Sequence, residues 1–199
     1  MTARAWLLSL TLCAPLANAL DMAGVRFAET RELDGRTLVL NGAGLREYGW
    51  MKIDVYAAAL WLPAPALDAD ALLSSPELKL IEVHLLRDAS AETTREAWRR
   101  YLDANCVAPC VLPQAQTARF LALLPPTVRG DVQSYRFEND RVTLHRNGAL
   151  IGEVEGGDFA RRLLATWIGA VPTSEHLKRA LLGARHRDAQ TRDPAGVRR

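Results

Sequence analysis

The chain has 199 residues, of which 49% are hydrophobic and 24% charged, as in an ordinary globular protein. Its formal net charge of +2 arises from its two ends: Arg4 stands near the start, and the tail after Gly183 contains five arginines and two aspartates. Residues 20–183 therefore carry a net charge of −2. This balance excludes the basic face that a nucleic-acid-binding domain needs.

The first 19 residues have the pattern of a cleaved secretory signal peptide. Arg4 supplies a positive start, and a nearly unbroken apolar run follows from Ala5 to Leu16. Ala17-Asn18-Ala19 places small residues where a signal peptidase reads them, which predicts cleavage before Leu20. The apolar run is shorter than the roughly 20 residues that span a bilayer. We therefore predict a periplasmic or secreted protein without a transmembrane segment in the mature chain.

A competing interpretation is a lipoprotein, because Leu10-Thr11-Leu12-Cys13 weakly resembles a lipid-attachment motif. The bulky Leu12 stands directly before the cysteine, where a small residue is expected, so simple cleavage is favoured. The chain then divides into a signal peptide (1–19), one domain (20–183) and a C-terminal tail (184–199). The tail lacks apolar periodicity, which predicts that it is disordered.

Two cysteines, Cys106 and Cys110, remain in the predicted mature chain. Two thiols this close in an exported protein most often form a local disulfide. A redox-active pair more usually has Cys-x-x-Cys spacing at the start of a helix, and a metal site would need further ligands. The four histidines are isolated from one another and from the cysteines: His84, His145, His176 and His186. The sequence therefore predicts a disulfide, no metal and no other cofactor.

The first half of the predicted domain contains strands followed by helices. Strands are predicted over 25–33, 36–40, 50–62 and 78–86, with a turn at Asn41-Gly42-Ala43-Gly44 and a short helix over 66–73. Longer helices are predicted from Ser90 to about Ala104 and over 114–124.

The clearest local pattern is a meander of three short strands over 132–138, 141–146 and 149–154. Asn139-Asp140 and Asn147-Gly148 separate them, and Asn-Gly between alternating segments is a strong hairpin signal because both residues take positive φ.

Two helices close the domain, one capped by Asp158 and ending at Gly169, the other capped by Ser174 and ending at Gly183. This order of elements predicts an α+β fold with a mainly antiparallel sheet. Helices layered on one face of a curved sheet leave a cleft, which is a usual place for an apolar ligand.

Arg46 is the most notable candidate site residue in a sequence that lacks the common catalytic motifs. There is no Gly-x-Ser-x-Gly elbow and no phosphate-binding loop. Arg46 follows the glycine-rich segment and precedes an apolar strand that contains Tyr56. A guanidinium in this position can grip a carboxylate or an enolate with a fork of donors. The alternative is a surface arginine beside Glu47, which composition alone favours.

Four segments, in order along nearly the whole predicted mature chain, carry a family resemblance: Leu40–Arg46 (LNGAGLR), Asp54–Leu62 (DVYAAALWL), Arg87-Asp88 and Gly156–Gly183. Together they resemble the chalcone isomerase-like family, and more narrowly its exported bacterial branch. The resemblance implies an open-faced β-sandwich, a large antiparallel sheet with helices layered on one face. That architecture agrees with the predicted order of elements.

The resemblance also implies roles for individual residues. Arg46 stands at the position of the arginine that holds the substrate in plant chalcone isomerases. Tyr56 replaces a threonine that helps to bind a water in those enzymes, and Trp98 replaces a tyrosine. Asn105 matches the asparagine seven residues further along the same helix, and Thr166 matches a threonine near the last Ile-Gly.

The replacement of two hydroxyl groups removes donors that would stabilise a developing oxyanion. Arg46 with Tyr56 is instead similar to the pair with which fatty-acid-binding relatives clamp a carboxylate above an apolar cleft. The resemblance thus implies non-catalytic binding of a small amphipathic, fatty-acid-like carboxylate. Two alternatives stay open: an isomerase acting on a chalcone-like unsaturated ketone with Arg46 as electrophile, and a scaffold protein with a vestigial cleft. The candidate aromatic residues for the cleft are Trp50, Trp61, Trp98 and Trp167.

Overall fold

The computed structural model describes residues 19–106 and 110–183, so the predicted signal peptide (apart from Ala19) and the predicted C-terminal tail lie outside the described residues. The strands are β1 (Ala19–Met22), β2 (Val25–Ala28), β3 (Thr30–Leu33), β4 (Arg36–Tyr48), β5 (Ile53–Leu62), β6 (Lys79–Leu85), β7 (Val132–Glu138), β8 (Arg141–Arg146) and β9 (Ala149–Glu155). The helices are α1 (Ala69–Ser74), α2 (Ala91–Ala104), α3 (Gln114–Leu123), α4 (Gly157–Ile168) and α5 (Glu175–Leu181). Within these ranges no helix has the length and apolar character needed to cross a membrane.

Seven strands form one antiparallel sheet whose spatial order, β3 to β9, follows the chain. The hairpin of β1 and β2 forms a separate two-stranded sheet. Helices pack on one face of the large sheet, and the predicted α+β class with a mainly antiparallel sheet is confirmed.

Each face of the large sheet has its own hydrophobic core, because successive residues of a strand point to opposite faces. On the helix-covered face, strand residues such as Ile81 and Tyr135 pack with Phe159 and Trp167 of α4. On the other face, Trp61 and Leu80 pack with Phe27 of the β1–β2 hairpin. A cavity lined by residues such as Tyr56 and Trp98 also lies on the helix-covered face.

The turn predicted at Asn41-Gly42-Ala43-Gly44 is wrong, because β4 runs unbroken through this segment. The two glycines instead allow α5 to lie directly on the strand. A Cβ at Gly42 would overlap the Ala180 carbonyl oxygen, and a Cβ at Gly44 would lie 2.7 Å from the Ala180 Cβ. Arg46 is therefore a residue of a long strand and does not follow a turn.

The Asn41 side chain, at a register shift between β4 and β5, helps to hold α5 against β4. Its Nδ2 donates to the Leu181 carbonyl oxygen at 2.8 Å, and its Oδ1 accepts from the Ala66 N–H at 2.8 Å. Asn41 is buried, so these hydrogen bonds replace the water that the amide loses on folding.

The predicted meander and all five predicted helices are present. Asn147 and Gly148 take φ values of 50° and 82°, as the Asn-Gly hairpin signal requires. The Ser90 and Ser174 hydroxyls accept hydrogen bonds from backbone N–H groups in the first turns of α2 and α5. The predicted Asp158 cap is wrong, because Gly156 occupies that position and the Asp158 carboxylate pairs with Arg161 at 3.3 Å.

Several predicted strands have different limits in the structure, and the strand predicted over 36–40 extends to Tyr48. The segment 25–33 divides into β2 and β3, and the strand predicted from Trp50 starts at Ile53. Cys106 and Cys110, which both lie between α2 and α3, are at disulfide distance with their Cα atoms 5.2 Å apart.

Candidate functional site

A cavity of about 400 Å³ lies between the helix-covered face of the sheet and α2. This volume is within the range of small-molecule sites. Most of its wall is aliphatic or aromatic: Val55, Val83, Leu85, Ala89, Ala97, Tyr48, Tyr56, Trp98, Tyr101, Tyr135 and Trp167. The side chains that add hydrogen-bonding groups or charge are Arg46, Arg87, Asp88, Thr93, Thr94, Arg100, Thr127, Gln133 and Thr173.

Arg46 and Tyr56 face each other as register partners across β4 and β5, so their side chains emerge on the same face of the sheet. Both line the cavity. The Arg46 guanidinium lies 5.9 Å from the centre of the Tyr48 ring, which is 64% exposed, and its Nη1 donates to the Glu47 carbonyl oxygen. The guanidinium therefore stands where the apolar cavity meets solvent.

The Tyr56 hydroxyl lies 3.4 Å from the Thr173 hydroxyl, in the loop between α4 and α5. Burial raises the pKa of Tyr56 to about 12, although the Thr173 hydroxyl and the Arg46 charge act in the opposite direction. The phenol therefore stays protonated at neutral pH and is a neutral hydrogen-bond donor beside the guanidinium.

Aromatic rings form a fixed wall on the α2 side of the cavity. The Trp98 ring centre lies 5.2 Å from that of Trp167 and 5.7 Å from that of Tyr135, and Tyr101 contacts Trp98 edge-on at 6.2 Å. Such contacts restrict each ring, so the apolar wall is preorganised for a ligand.

The structure brings three of the five residues suggested by the family resemblance to the cavity: Arg46, Tyr56 and Trp98. It does not bring Asn105 or Thr166 there. The Asn105 amide donates to the carbonyl oxygens of Tyr101 and Val171, and the buried Thr166 hydroxyl donates to the Leu163 carbonyl oxygen.

Two of the four candidate tryptophans also lie elsewhere. Trp50 is 91% exposed in the turn between β4 and β5, and Trp61 is buried on the opposite face of the sheet. Trp98 and Trp167 line the cavity. Trp61 lies on the opposite face because successive strand residues alternate between the two faces. In β5 the even-numbered residues, such as Tyr56 and Ala58, point to the helices.

Several polar cavity residues were not identified as site residues from the sequence, among them Tyr101, Gln133, Tyr135 and Thr173. Helical spacing from Trp98 places Tyr101 near it, and alternation within β7 places Gln133 and Tyr135 on one face. No sequence pattern marks Thr173, which reaches the cavity because its N–H donates to the Thr166 carbonyl oxygen at 2.7 Å.

A family model described as chalcone isomerase-like matches residues 19–183, most of the chain. The chain belongs to the chalcone isomerase-like family. Among solved structures, the crystal structure of an Arabidopsis thaliana fatty-acid binding protein is similar, with a TM-score of 0.70 and 16% sequence identity. The similarity covers 84% of this chain and 97% of the plant protein, and it shows a shared fold. No curated protein matches the chain significantly.

This member of the chalcone isomerase-like family should lose stability as the pH rises from about 10 to about 12. The pKa of Tyr56 is raised to about 12 by burial, and burial also raises that of Tyr135, while an unfolded tyrosine titrates near about 10. Within that window the unfolded chain loses protons that the folded chain keeps, so the free energy of unfolding falls. Tyr56→Phe should flatten this fall in urea denaturation series, and Tyr48→Phe should not. An equal slope in Tyr56→Phe and the unmodified protein would contradict the burial of this phenol.

Proposed function

We propose that this protein binds a small amphipathic carboxylate of the fatty-acid type and does not catalyse ring closure. The observation that carries this proposal is the Arg46–Tyr56 register pair at the solvent end of an apolar cavity. An acid with an apolar chain matches both parts of the site, since its charge meets the guanidinium and its chain meets the wall. The shared fold with a plant fatty-acid binding protein supports the same proposal.

The carboxylate would be held by charge-assisted hydrogen bonds at the solvent end. Arg46 offers a planar fork of N–H donors, which matches the two oxygens of a carboxylate. The neutral Tyr56 phenol adds a donor within reach of the same region, and Thr173 lies beside it. Because these groups lie at the end of the cavity, the carboxylate keeps part of its hydration, which reduces the cost of burying its charge.

The apolar chain would be held by contact with residues such as Val83, Leu85 and Trp98. Each methylene that leaves water contributes about 0.8 kcal/mol. Affinity should therefore rise with chain length until the cavity of about 400 Å³ is filled.

A titration of tryptophan fluorescence tests the proposal, because Trp98 and Trp167 line the cavity. Dodecanoate should change the emission saturably, and dodecanol, which lacks the carboxylate, should bind more weakly. In parallel, the absorbance of a chalcone is followed with the unmodified protein and with Arg46→Ala. Turnover that Arg46→Ala abolishes would favour the isomerase instead. Neither binding nor turnover would favour a scaffold with a vestigial cleft.

We also propose that the protein acts outside the cytoplasm, in the periplasm or after secretion. The support is the leader pattern, with its short apolar run and the Ala17-Asn18-Ala19 site. Expression of the full chain in a bacterial host should yield a periplasmic protein that starts at Leu20, as checked by intact mass and N-terminal sequencing. A product that keeps Met1, or one that starts at a lipid-modified Cys13, would contradict simple cleavage.

A further inference from the structure

Gln133 has a buried amide on the cavity wall, and it is not part of the carboxylate clamp formed by Arg46 and Tyr56. It lies on β7, it is 5% exposed, and it lines the same cavity as Arg46. Its Oε1 accepts a hydrogen bond from the Tyr135 hydroxyl at 2.8 Å. Its Nε2 is buried and has no hydrogen-bond partner among the described residues. Native proteins rarely leave such a group unpaired, because it has lost its water without replacement.

The strand register separates this amide from the carboxylate clamp. Gln133 pairs with Val83 of β6, and Val83 pairs with Ala58 of β5, two residues beyond Tyr56. Three inter-strand spacings, roughly 14 Å, lie between β4 and β7. The backbones of the two residues thus lie well apart, and with the carboxylate at Arg46 the amide is left for a group further along the ligand.

We infer that the ligand is a hydroxylated acid, whose carboxylate meets Arg46 and whose chain hydroxyl pairs with the Gln133 amide. The inference rests on the proposed function, since it names which class of amphipathic carboxylate the same site takes. A hydroxyl suits the amide because it both donates and accepts. The Tyr135 hydroxyl can donate to the amide oxygen or accept from the amide nitrogen. In either case the other amide atom is left for the ligand, and a ligand hydroxyl can pair with a nitrogen or with an oxygen.

Trp167 supplies a second unpaired donor on the carboxylate side. Its side chain is 1% exposed, and its indole Nε1 is buried without a hydrogen-bond partner among the described residues. Trp167 lines the cavity together with Tyr56 and Thr173. An indole N–H only donates, so it adds to the set of donors near the carboxylate. Trp167 and Gln133 should therefore affect binding in different ways.

Calorimetric titration of delipidated protein tests the inference with dodecanoate and with dodecanoates hydroxylated at carbon 8, 10 or 12. At least one hydroxy acid should bind about tenfold more tightly than dodecanoate. Gln133→Leu, which keeps the side-chain size, should abolish this preference, so that no hydroxy acid binds more tightly than dodecanoate. Trp167→Phe should weaken all four acids to a similar extent. The matched control is Gln114→Leu at the exposed start of α3, which should change nothing.

Tyr135→Phe provides a second variant that keeps the packing and removes the group that orients the amide. It should reduce the ratio of the affinity for the hydroxy acid to the affinity for dodecanoate. Equal affinities for all four acids, or a preference that survives in Gln133→Leu, would overturn the inference and leave the proposed function intact. Binding of none of the acids would overturn the proposed function as well.

Discussion

Replacement of Arg46 by methionine should weaken dodecanoate binding about 100-fold, which corresponds to roughly 2.7 kcal/mol. Arg46 is the guanidinium that faces Tyr56 across β4 and β5, and hydrogen bonds to charged groups contribute about 1.5–3 kcal/mol each. The measurement is the tryptophan fluorescence titration. Methionine keeps the length and apolar contacts of the side chain, so the loss reports on the charge and its donors.

Arg87→Met is the matched control, because Arg87 also lines the cavity but is exposed, whereas Arg46 is partly buried. The Arg87 Nε donates to the Asp54 carbonyl oxygen at 3.1 Å. Arg87→Met should change the affinity less than about threefold, as expected for an exposed charge. Arg46→Lys keeps the charge but loses the planar fork, and it should weaken binding about tenfold. Equal affinities for Arg46→Met and the unmodified protein would contradict a carboxylate clamp at this position.

Gly42→Ala should lower the free energy of unfolding by about 3 kcal/mol, because backbone atoms cannot rotate away from the added methyl as a flexible side chain can. The added methyl would overlap the Ala180 carbonyl oxygen, which belongs to the α5 backbone. Either β4 or the helix must move, and the Asn41 hydrogen bonds to Leu181 and Ala66 would be disturbed as well. For a chain of this size the thermal midpoint should fall by roughly 10 °C.

Gly152→Ala on β9 is the control for the loss of a glycine within a strand. There the added methyl would lie 2.7 Å from Leu123 Cδ2, the end of a flexible side chain that can rotate away. The loss should stay below about 1 kcal/mol in the same thermal and urea unfolding measurements. A loss equal to that of Gly42→Ala would show that the close approach of α5 is not what requires glycine in β4.

Local signals predicted the elements whose structure depends on near neighbours. The Asn147-Gly148 turn and the Ser90 and Ser174 caps each satisfy their own backbone within a few residues, and the sequence identified them. The segment from Asn41 to Gly44 shows the opposite case. Its composition is that of a turn, but it is a strand because α5, about 140 residues later in the chain, needs glycine to pack on it.

The cavity was predictable only in part, because its polar groups come from distant elements. Arg46 was singled out because it follows a glycine-rich segment, the family resemblance paired it with Tyr56, and strand alternation is consistent with their shared face. The same resemblance suggested Asn105 and Thr166, yet backbone carbonyl oxygens nearby take their hydrogen bonds. For Asn105, spacing along the chain cannot reveal that competition, since its acceptor Val171 lies in the loop between α4 and α5. The Thr166 hydroxyl is taken by Leu163, one turn earlier in its own helix.

Mass spectrometry of the native protein and of its denatured extract tests the carboxylate-binding proposal most directly. Protein purified without detergent should carry close to one organic acid per chain, and Arg46→Met should lose that acid while keeping its fold by circular dichroism. A neutral lipid retained equally by both proteins would contradict the proposal. So would a native protein that carries no acid and gains none when incubated with dodecanoate.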